Sequence, residues 1–233
     1  MNTGIDRQVL LRTKFHRPRV IADLIDRPGL KARLDTGWDR SLILVAAPAG
    51  FGKSTLLSAW LEVCDCPHAW LSLDEHDSDL GVFLAYFLGA VRTIFPNALT
   101  ATQALLSGVS LPPLTVITRS LLNELDDLER DFVLVLDDYH VISEQSVNEL
   151  LSALLQHPPK WLHLVIATRE DPPIPLARLP RTLDGVVDFL EGRGVESIEC
   201  LGAVERDQTD VATSLCDDVL VIHGRTYFWQ ERQ

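Results

Sequence analysis

A glycine-rich segment that joins an apolar run to a helical run constrains the fold of this chain more than any other feature. The apolar run is Leu42–Val45, and the pattern Ala-x-x-x-x-Gly-Lys-Ser begins two residues after it. The residues of the segment are Ala47, Pro48, Ala49, Gly50, Phe51, Gly52, Lys53, Ser54 and Thr55. A strand, a glycine-rich loop and a helix in this order are typical of a phosphate-binding P-loop, here with Ala47 where a first glycine is common.

The residues of this pattern have separate physical roles. Gly50 and Gly52 adopt backbone angles that other residues avoid, so that consecutive N–H groups turn inward and form a concave anion site. Lys53 is expected to reach the β- and γ-phosphates of a nucleotide, Ser54 to ligate Mg²⁺, and Thr55 to lie near the α-phosphate. The alternative is a glycine turn that precedes Lys and Ser by chance, and the flanking strand and helix disfavour it.

Predicted strands alternate with predicted helices along the chain. Beyond the P-loop strand, apolar runs typical of buried strands cover residues 69–73, 132–136 and 161–166. Apolar spacing and boundary residues predict helices near residues 28–34, 56–61, 80–95, 99–106, 114–128 and 143–155. This alternation predicts an α/β fold with a doubly wound parallel sheet and helices on both faces, of the P-loop NTPase type (ASCE or AAA-like).

Candidate catalytic residues follow two of the predicted strands. Asp137 ends the strand at 132–136 and is expected to hold the Mg²⁺ that bridges the phosphates. Asp138 is expected to orient and deprotonate an attacking water, and Arg169, after the next strand, to sense the γ-phosphate. The alternatives are that the paired acids only cap a strand end and that Arg169 is one exposed arginine among many.

Composition narrows the class of protein. A net charge of −12 argues against a general nucleic-acid-binding surface. No apolar run is long enough for a membrane span, the N-terminus has no apolar signal core, and four cysteines fit a reduced cytosolic protein, so the predicted location is cytoplasmic. The Cys64-Asp65-Cys66 spacing is too short for a usual zinc knuckle and has no second pair, so it predicts no metal site.

The first forty residues are basic. They carry nine Lys or Arg residues against five Asp residues. Two interpretations of this segment stay open: contact with the phosphates of a nucleotide, and a solvated face.

Five stretches of the sequence together resemble a known family. They are residues 13–18 (Thr-Lys-Phe-His-Arg-Pro), the P-loop segment 46–55, 69–74 (Ala-Trp-Leu-Ser-Leu-Asp), 136–140 (Leu-Asp-Asp-Tyr-His) and 167–173 (Ala-Thr-Arg-Glu-Asp-Pro-Pro). In this order they resemble the N-terminal nucleotide-binding domain of MalT-like regulators, which are large LuxR-type transcriptional activators of the signal-transduction ATPase (STAND) class. The resemblance extends from about residue 11 to residue 180.

This resemblance implies a nucleotide switch. In the family, ADP holds a closed monomer, whereas ATP with an inducer favours an open form that self-associates and activates transcription until hydrolysis resets it. The implied cofactors are ATP or ADP and Mg²⁺, with Mg²⁺ at Asp137, the water at Asp138 and the γ-phosphate at Arg169. The region from Arg12 to Arg27 is implied to line the adenine side, without an assignment of single residues.

The predicted organisation has three parts. A basic N-terminal segment and helix covers residues 1–40, the ATPase core covers 41–180, and a divergent acidic tail of unknown structure covers 181–233. Within the tail, residues 219–222 are expected to form a strand and residues 186–190 part of a helix. The tail is interpreted as a truncated or frame-shifted end, with a small separate module as the alternative.

The predicted function is an ATP-binding, slowly hydrolysing switch domain of a MalT-like regulator. The family's DNA-binding helix-turn-helix does not fit in the tail, so DNA is not an expected partner. A membrane is not expected either, because no apolar run is long enough to span one. Self-association or pairing with full-length relatives is the expected interaction besides ATP. Two alternatives stay open: a module that binds nucleotide without turnover, and an unrelated AAA-like P-loop ATPase. Enzyme activity therefore stays open, with slow conversion of ATP to ADP and phosphate as the leading interpretation.

Overall fold

The structure, a computed structural model, describes residues 10–20, 27–38, 40–108, 110–174, 186–190 and 219–225. Its strands are β1 (Leu42–Ala46), β2 (His68–Ser72), β3 (Phe132–Asp137), β4 (Leu162–Thr168), β5 (Val186–Leu190) and β6 (Val219–Arg225). Its α-helices are α1 (Pro28–Asp35), α2 (Lys53–Val63), α3 (Leu80–Arg92), α4 (Thr100–Leu106), α5 (Leu114–Asp126) and α6 (Gln145–Gln156). Short 3₁₀ helices cover Arg12–Phe15, Glu75–Ser78 and Tyr139–Val141.

The strands form one parallel sheet in the order β2-β3-β4-β1-β6-β5. The predicted doubly wound parallel sheet of the P-loop NTPase type is confirmed. Strand β4 lies between β1 and β3, although it follows both of them in the chain. Because the carboxyl ends of parallel strands lie at one edge, the P-loop after β1, Arg169 after β4 and Asp137 at the end of β3 are neighbours.

The side chains of the central strands alternate between two hydrophobic cores on opposite faces of the sheet. Leu44 and Leu134 belong to the core that α3, α4, α5 and α6 cover. Val45 and Val133 belong to the core that α1 and α2 cover. All four side chains are buried, and burial of each stabilises the fold by about 1.5–3 kcal/mol. Burial on both faces explains why these strands are continuous apolar runs.

Helix boundaries follow local signals, as helix α3 illustrates. An acidic residue caps its N-terminus, because the Asp79 side chain accepts a hydrogen bond from the N–H of Val82, at 3.0 Å. The predicted end at Phe95 is wrong, since α3 ends at Arg92. After it, Thr93 donates to the carbonyl of Ala90 at 3.0 Å, and this i→i+3 bond tightens the last turn. Among the described ranges, no helix is long and apolar enough to cross a membrane.

Two segments beyond residue 180 belong to the sheet. The predicted strand at residues 219–222 is confirmed as β6, which pairs with β1 in the register Leu42↔Val219. The prediction that residues 186–190 are part of a helix is wrong, because they form β5 and pair with β6. A five-residue apolar run fits either structure, and here β-branched Val186 and Val187 and the neighbouring strand decide the outcome. Residues on both sides of position 180 therefore share one sheet.

Candidate functional site

The P-loop leaves β1 after Ala46 and enters α2 at Lys53. Gly50 and Gly52 have left-handed backbones with φ of 85° and 76°. A Cβ atom on either residue would meet no atom within 4 Å. Glycine is therefore favoured at both positions because of the positive φ, not because a side chain would clash. The N-terminus of α2 places unpaired N–H groups and the positive end of its dipole beside this open space, which favours an anion.

Other residues of the loop have different surroundings. Ala47 is buried, and its N–H donates to the carbonyl of Thr168 in β4, at 3.2 Å. Phe51 packs against the core beneath α1 and α2, and its carbonyl accepts a hydrogen bond from Arg27, at 3.2 Å. Ala49 is exposed at the tip of the loop. Ala47 therefore anchors the loop to the sheet, and its amide is already paired within the protein.

Lys53 is 9% exposed and bonds to the loop that precedes it. Its ammonium donates to the carbonyl of Ala47 at 2.7 Å and to that of Pro48 at 3.2 Å. Burial lowers the pKa of Lys53, and the carboxylates of Asp138 and Asp137 act in the opposite direction. Phosphate oxygens would offer this ammonium stronger, charge-assisted hydrogen bonds than neutral carbonyls do. The Lys53 ammonium thus faces the P-loop carbonyls, and its contact with phosphates stays a prediction.

Ser54 and Asp137 meet at the carboxyl end of β3. The Ser54 hydroxyl donates to Oδ1 of Asp137 at 3.0 Å, and the N–H of Asp138 donates to the same oxygen, also at 3.0 Å. Asp137 is 4% exposed, and burial raises its pKa to about 6, although the hydrogen bond from Ser54 acts in the opposite direction. A hydroxyl and a carboxylate are the oxygen ligands that Mg²⁺ prefers, so the pair fits the predicted metal.

Replacing Asp137 with Asn is expected to raise the stability of the nucleotide-free protein at pH 7.5. The folded pKa is about 6, whereas that of an unfolded Asp is about 3.9, so above pH 6 the folded state carries the charge at a cost of up to about 3 kcal/mol. A buried Asn amide without a partner offsets about 1 kcal/mol, which leaves a gain of about 1–2 kcal/mol. Urea unfolding at pH 7.5 and pH 5 measures this gain, which should shrink at pH 5. A less stable variant at pH 7.5 would contradict it.

Asp138 begins the turn after β3 in a left-handed conformation, with φ of 57°. Asp tolerates this backbone better than most residues do. Its side chain is 44% exposed, and its Oδ1 lies 3.8 Å from Nδ1 of His140, beyond hydrogen-bonding distance. The Asp138 carboxylate is close enough to Lys53 for their charges to interact, and water can reach it. This position fits the predicted role in activating a water.

Arg169 lies exposed just after β4 and faces a surface depression. The depression has a volume of about 630 Å³ and is lined by Glu75, His140, Val141, Ser143 and Arg169. A neighbouring depression of about 410 Å³ shares four of these residues and adds Asp138. The positive charge of Arg169 also helps to lower the pKa of Lys53. Arg169 and Asp138 thus line one depression, which we call the mouth of the site, and the charge of the nearby Lys53 interacts with both.

His140 is a residue of this mouth to which the sequence analysis gave no role. Its Nδ1 is buried and has no hydrogen-bond partner in the part of the chain that the structure describes. Burial lowers the pKa of His140, and the charge of Arg169 acts in the same direction, so the ring is neutral at pH 7. Its position two residues after Asp138 was the available signal, but a lone histidine after a strand has no chemical signature of its own.

Two residues of the basic N-terminal segment bond to other parts of the protein. Lys14 is 8% exposed and pairs with Asp77 and Asp74. Arg17 donates to the carbonyl of Ser58 in α2 at 2.7 Å. Lys14 is therefore shielded from solvent, Arg17 is only partly exposed, and both residues bond to other parts of the protein.

The chain has clear relatives among curated proteins, although no family model matches it. It is 29% identical over 218 residues to the HTH-type transcriptional regulator MalT of Klebsiella pneumoniae, which covers 91% of this chain and 24% of that regulator. MalT of Serratia proteamaculans is 28% identical over 218 residues with the same coverage. This chain is related to the MalT-type regulators. The predicted resemblance to their N-terminal nucleotide-binding domain is confirmed.

The extent of the relationship differs from the prediction. The chain spans about a quarter of the length of the MalT proteins that it matches. The predicted range, from about residue 11 to residue 180, is too short, because the alignment covers 91% of the 233 residues. Only ten residues precede this range, so the relationship to MalT includes residues after position 180.

Solved structures give weaker likenesses. A STAND protein with a tetratricopeptide repeat sensor from Pyrococcus horikoshii has a TM-score of 0.45 at 14% identity, over 68% of this chain and 22% of that protein. Cdc6p from Pyrobaculum aerophilum has a TM-score of 0.46 at 16% identity, over 70% of this chain and 44% of that protein. Likeness at this level is too low to establish a shared fold.

Proposed function

We propose that this chain binds ATP and ADP with Mg²⁺ and hydrolyses ATP slowly, as the switch domain of a MalT-like regulator. The observation that carries the proposal is the hydrogen bond between Ser54 of the P-loop and Asp137 at the end of β3. A loop with the P-loop pattern and two oxygens of the kind that ligate Mg²⁺, 3.0 Å apart, lie at one edge of a parallel sheet. The relationship to MalT-type regulators supports a nucleotide-binding regulator domain.

The proposed binding step uses the P-loop. The phosphates would replace the carbonyls of Ala47 and Pro48 as partners of the Lys53 ammonium. The N–H groups at the start of α2 would bond to the phosphate oxygens. Ser54 and Asp137 would hold Mg²⁺, which neutralises phosphate charge when it is bound. Proton loss from Asp137 would accompany this step, because its carboxyl group is partly protonated near pH 6.

The proposed hydrolytic step uses the turn after β3. A water attacks the γ-phosphorus, its proton passes to the Asp138 carboxylate, and the bond from the γ-phosphorus to the bridging oxygen of ADP breaks. Arg169 would bind the γ-phosphate and report whether it is present. Nδ1 of the neutral His140 ring lies 3.8 Å from Oδ1 of Asp138, next to the carboxylate that would receive the proton.

Calorimetric titration of the purified chain with ADP and with ATP tests the proposal. In the presence of Mg²⁺ we expect a dissociation constant in the micromolar range or below, about −8 kcal/mol. Binding of ATP should weaken when EDTA removes the metal, because the Ser54–Asp137 pair then has no cation to share with the phosphates. No binding of either nucleotide at 1 mM would refute the proposed function.

Binding without turnover is a second candidate function. It is favoured by the exposure of Asp138 and Arg169, since no side-chain hydrogen bond holds either residue within the described ranges. A phosphate-release assay separates the two candidates. Association into oligomers on ATP, or with full-length relatives, belongs to the same proposal, and DNA binding is not expected of this part of a regulator.

A further inference from the structure

Lys14 is a buried cation in the 3₁₀ helix Arg12–Phe15, which precedes the sheet in the chain. Its ammonium donates to both oxygens of Asp77, at 2.7 and 2.6 Å, and lies 2.7 Å from Oδ2 of Asp74. The ring of Tyr86 covers it, with its centroid 4.4 Å away. Asp77 is fully buried, so Lys14 is the cation that compensates its charge.

The two aspartates bracket a loop that forms a wall of the candidate site. The Asp77 side chain also accepts from the N–H of Asp74 at 2.8 Å, and Asp74 accepts from the N–H of His76 at 3.0 Å. These reciprocal bonds cap the 3₁₀ helix Glu75–Ser78. Glu75, inside this loop, lines the depression together with Arg169.

The far end of the same loop is bonded to the turn that carries Asp138. The hydroxyl of Ser78 donates to the carbonyl of Val141 at 3.3 Å, and the N–H of Ser143 donates to that hydroxyl at 3.2 Å. Hydrogen bonds at both ends of the loop, joined by its own backbone, therefore connect Lys14 to residues 138–143, within which the N–H of Val141 donates to the carbonyl of Asp138 at 3.1 Å. None of these bonds involves the P-loop.

We infer that Lys14 is a positioning residue for hydrolysis: through the loop at residues 74–78 it holds the turn at residues 138–143, and with it Asp138. The hydrolytic part of this inference rests on the proposed function. The structural part, that Lys14 orders the turn, stands independently. The inference predicts that loss of Lys14 lowers turnover and leaves nucleotide affinity unchanged.

Two variants cut the connection at different points. Lys14→Met alone would leave the buried Asp77 carboxylate without a cation and is expected to fold poorly. Lys14→Met/Asp77→Asn removes both charges, and the Asn oxygen still accepts from the N–H of Asp74. Ser78→Ala keeps the ion pair and removes only the bonds to the turn. Lys160→Met is the control, because its ammonium lies over the Trp161 ring away from the site.

Hydrogen exchange measured by mass spectrometry on the nucleotide-free chain tests the structural part. Both Lys14→Met/Asp77→Asn and Ser78→Ala should exchange at least tenfold faster at residues 138–143, with α2 unchanged. In Ser78→Ala, residues 74–77 should keep their protection. Exchange at residues 138–143 within twofold of the parent chain in either variant would overturn the inference.

Turnover and affinity test the hydrolytic part. We expect the rate of phosphate release to fall about tenfold in both variants, with ADP affinity within twofold, and Lys160→Met to match the parent chain. Equal loss of affinity and turnover, or the same loss in Lys160→Met, would overturn it. If the parent chain binds nucleotide but releases no phosphate, the proposed hydrolysis fails and the exchange result alone decides whether Lys14 orders the turn.

Discussion

Lys53→Ala is expected to weaken the binding of Mg²⁺-ATP by about 100-fold. Lys53 is the buried cation of the P-loop, and its ammonium now bonds to two loop carbonyls that phosphate oxygens would replace. A charge-assisted hydrogen bond of this kind contributes about 1.5–3 kcal/mol, and about 2.7 kcal/mol corresponds to a factor of 100. Calorimetric titration with ATP in excess Mg²⁺ measures the change.

The matched control for this experiment is Lys160→Ala, which removes the same charge from an exposed position. It should leave the affinity within twofold of the parent chain. Thermal unfolding of Lys53→Ala without nucleotide should show a folded protein, because the substitution removes an ammonium whose burial is unfavourable. Unchanged affinity in folded Lys53→Ala would mean that the loop does not bind phosphate.

Asp138→Asn is expected to lower ATP turnover by about 100-fold or more while ADP affinity stays within threefold. The lost rate is that of general-base catalysis, which contributes a factor of about 10²–10⁴. Asn is a better substitute than Ala, because residue 138 has φ of 57° and Asn tolerates the left-handed region. Release of phosphate under single-turnover conditions measures the rate.

Asp127→Asn, an exposed change at the end of α5, serves as the control and should retain full turnover. Turnover by Asp138→Asn at the parent rate would show that another group activates the water. A parent chain no faster than Asp138→Asn would favour the function of nucleotide binding without hydrolysis.

The P-loop, the central strands and the acidic end of β3 could be predicted from the sequence because their signals are local. Gly50 and Gly52 have the φ values that the loop pattern requires. Strands β1 and β3 are buried on both faces, which appears in the sequence as unbroken apolar runs. The roles assigned to Asp138 and Arg169 remain predictions, although the structure places both at the same mouth.

Other features depend on contacts between distant residues and were missed for that reason. Lys14 lies 63 positions from Asp77, so nothing near it in the chain indicates that it is buried. The depression that includes His140 forms only when the loop after β2 meets the turn after β3. The five residues of β5 carry too short a pattern to separate strand from helix, and only pairing with β6 decides between them.

The pairing of β6 with β1 has a consequence for work with shorter pieces of this protein. Strand β1 carries the P-loop and is paired on one side by β4 and on the other by β6. A fragment that stops at residue 180 would turn β1 into an edge strand with a row of unpaired N–H and C=O groups, which is a template for aggregation. Residues 219–225 therefore need to be kept in any fragment intended to stay in solution.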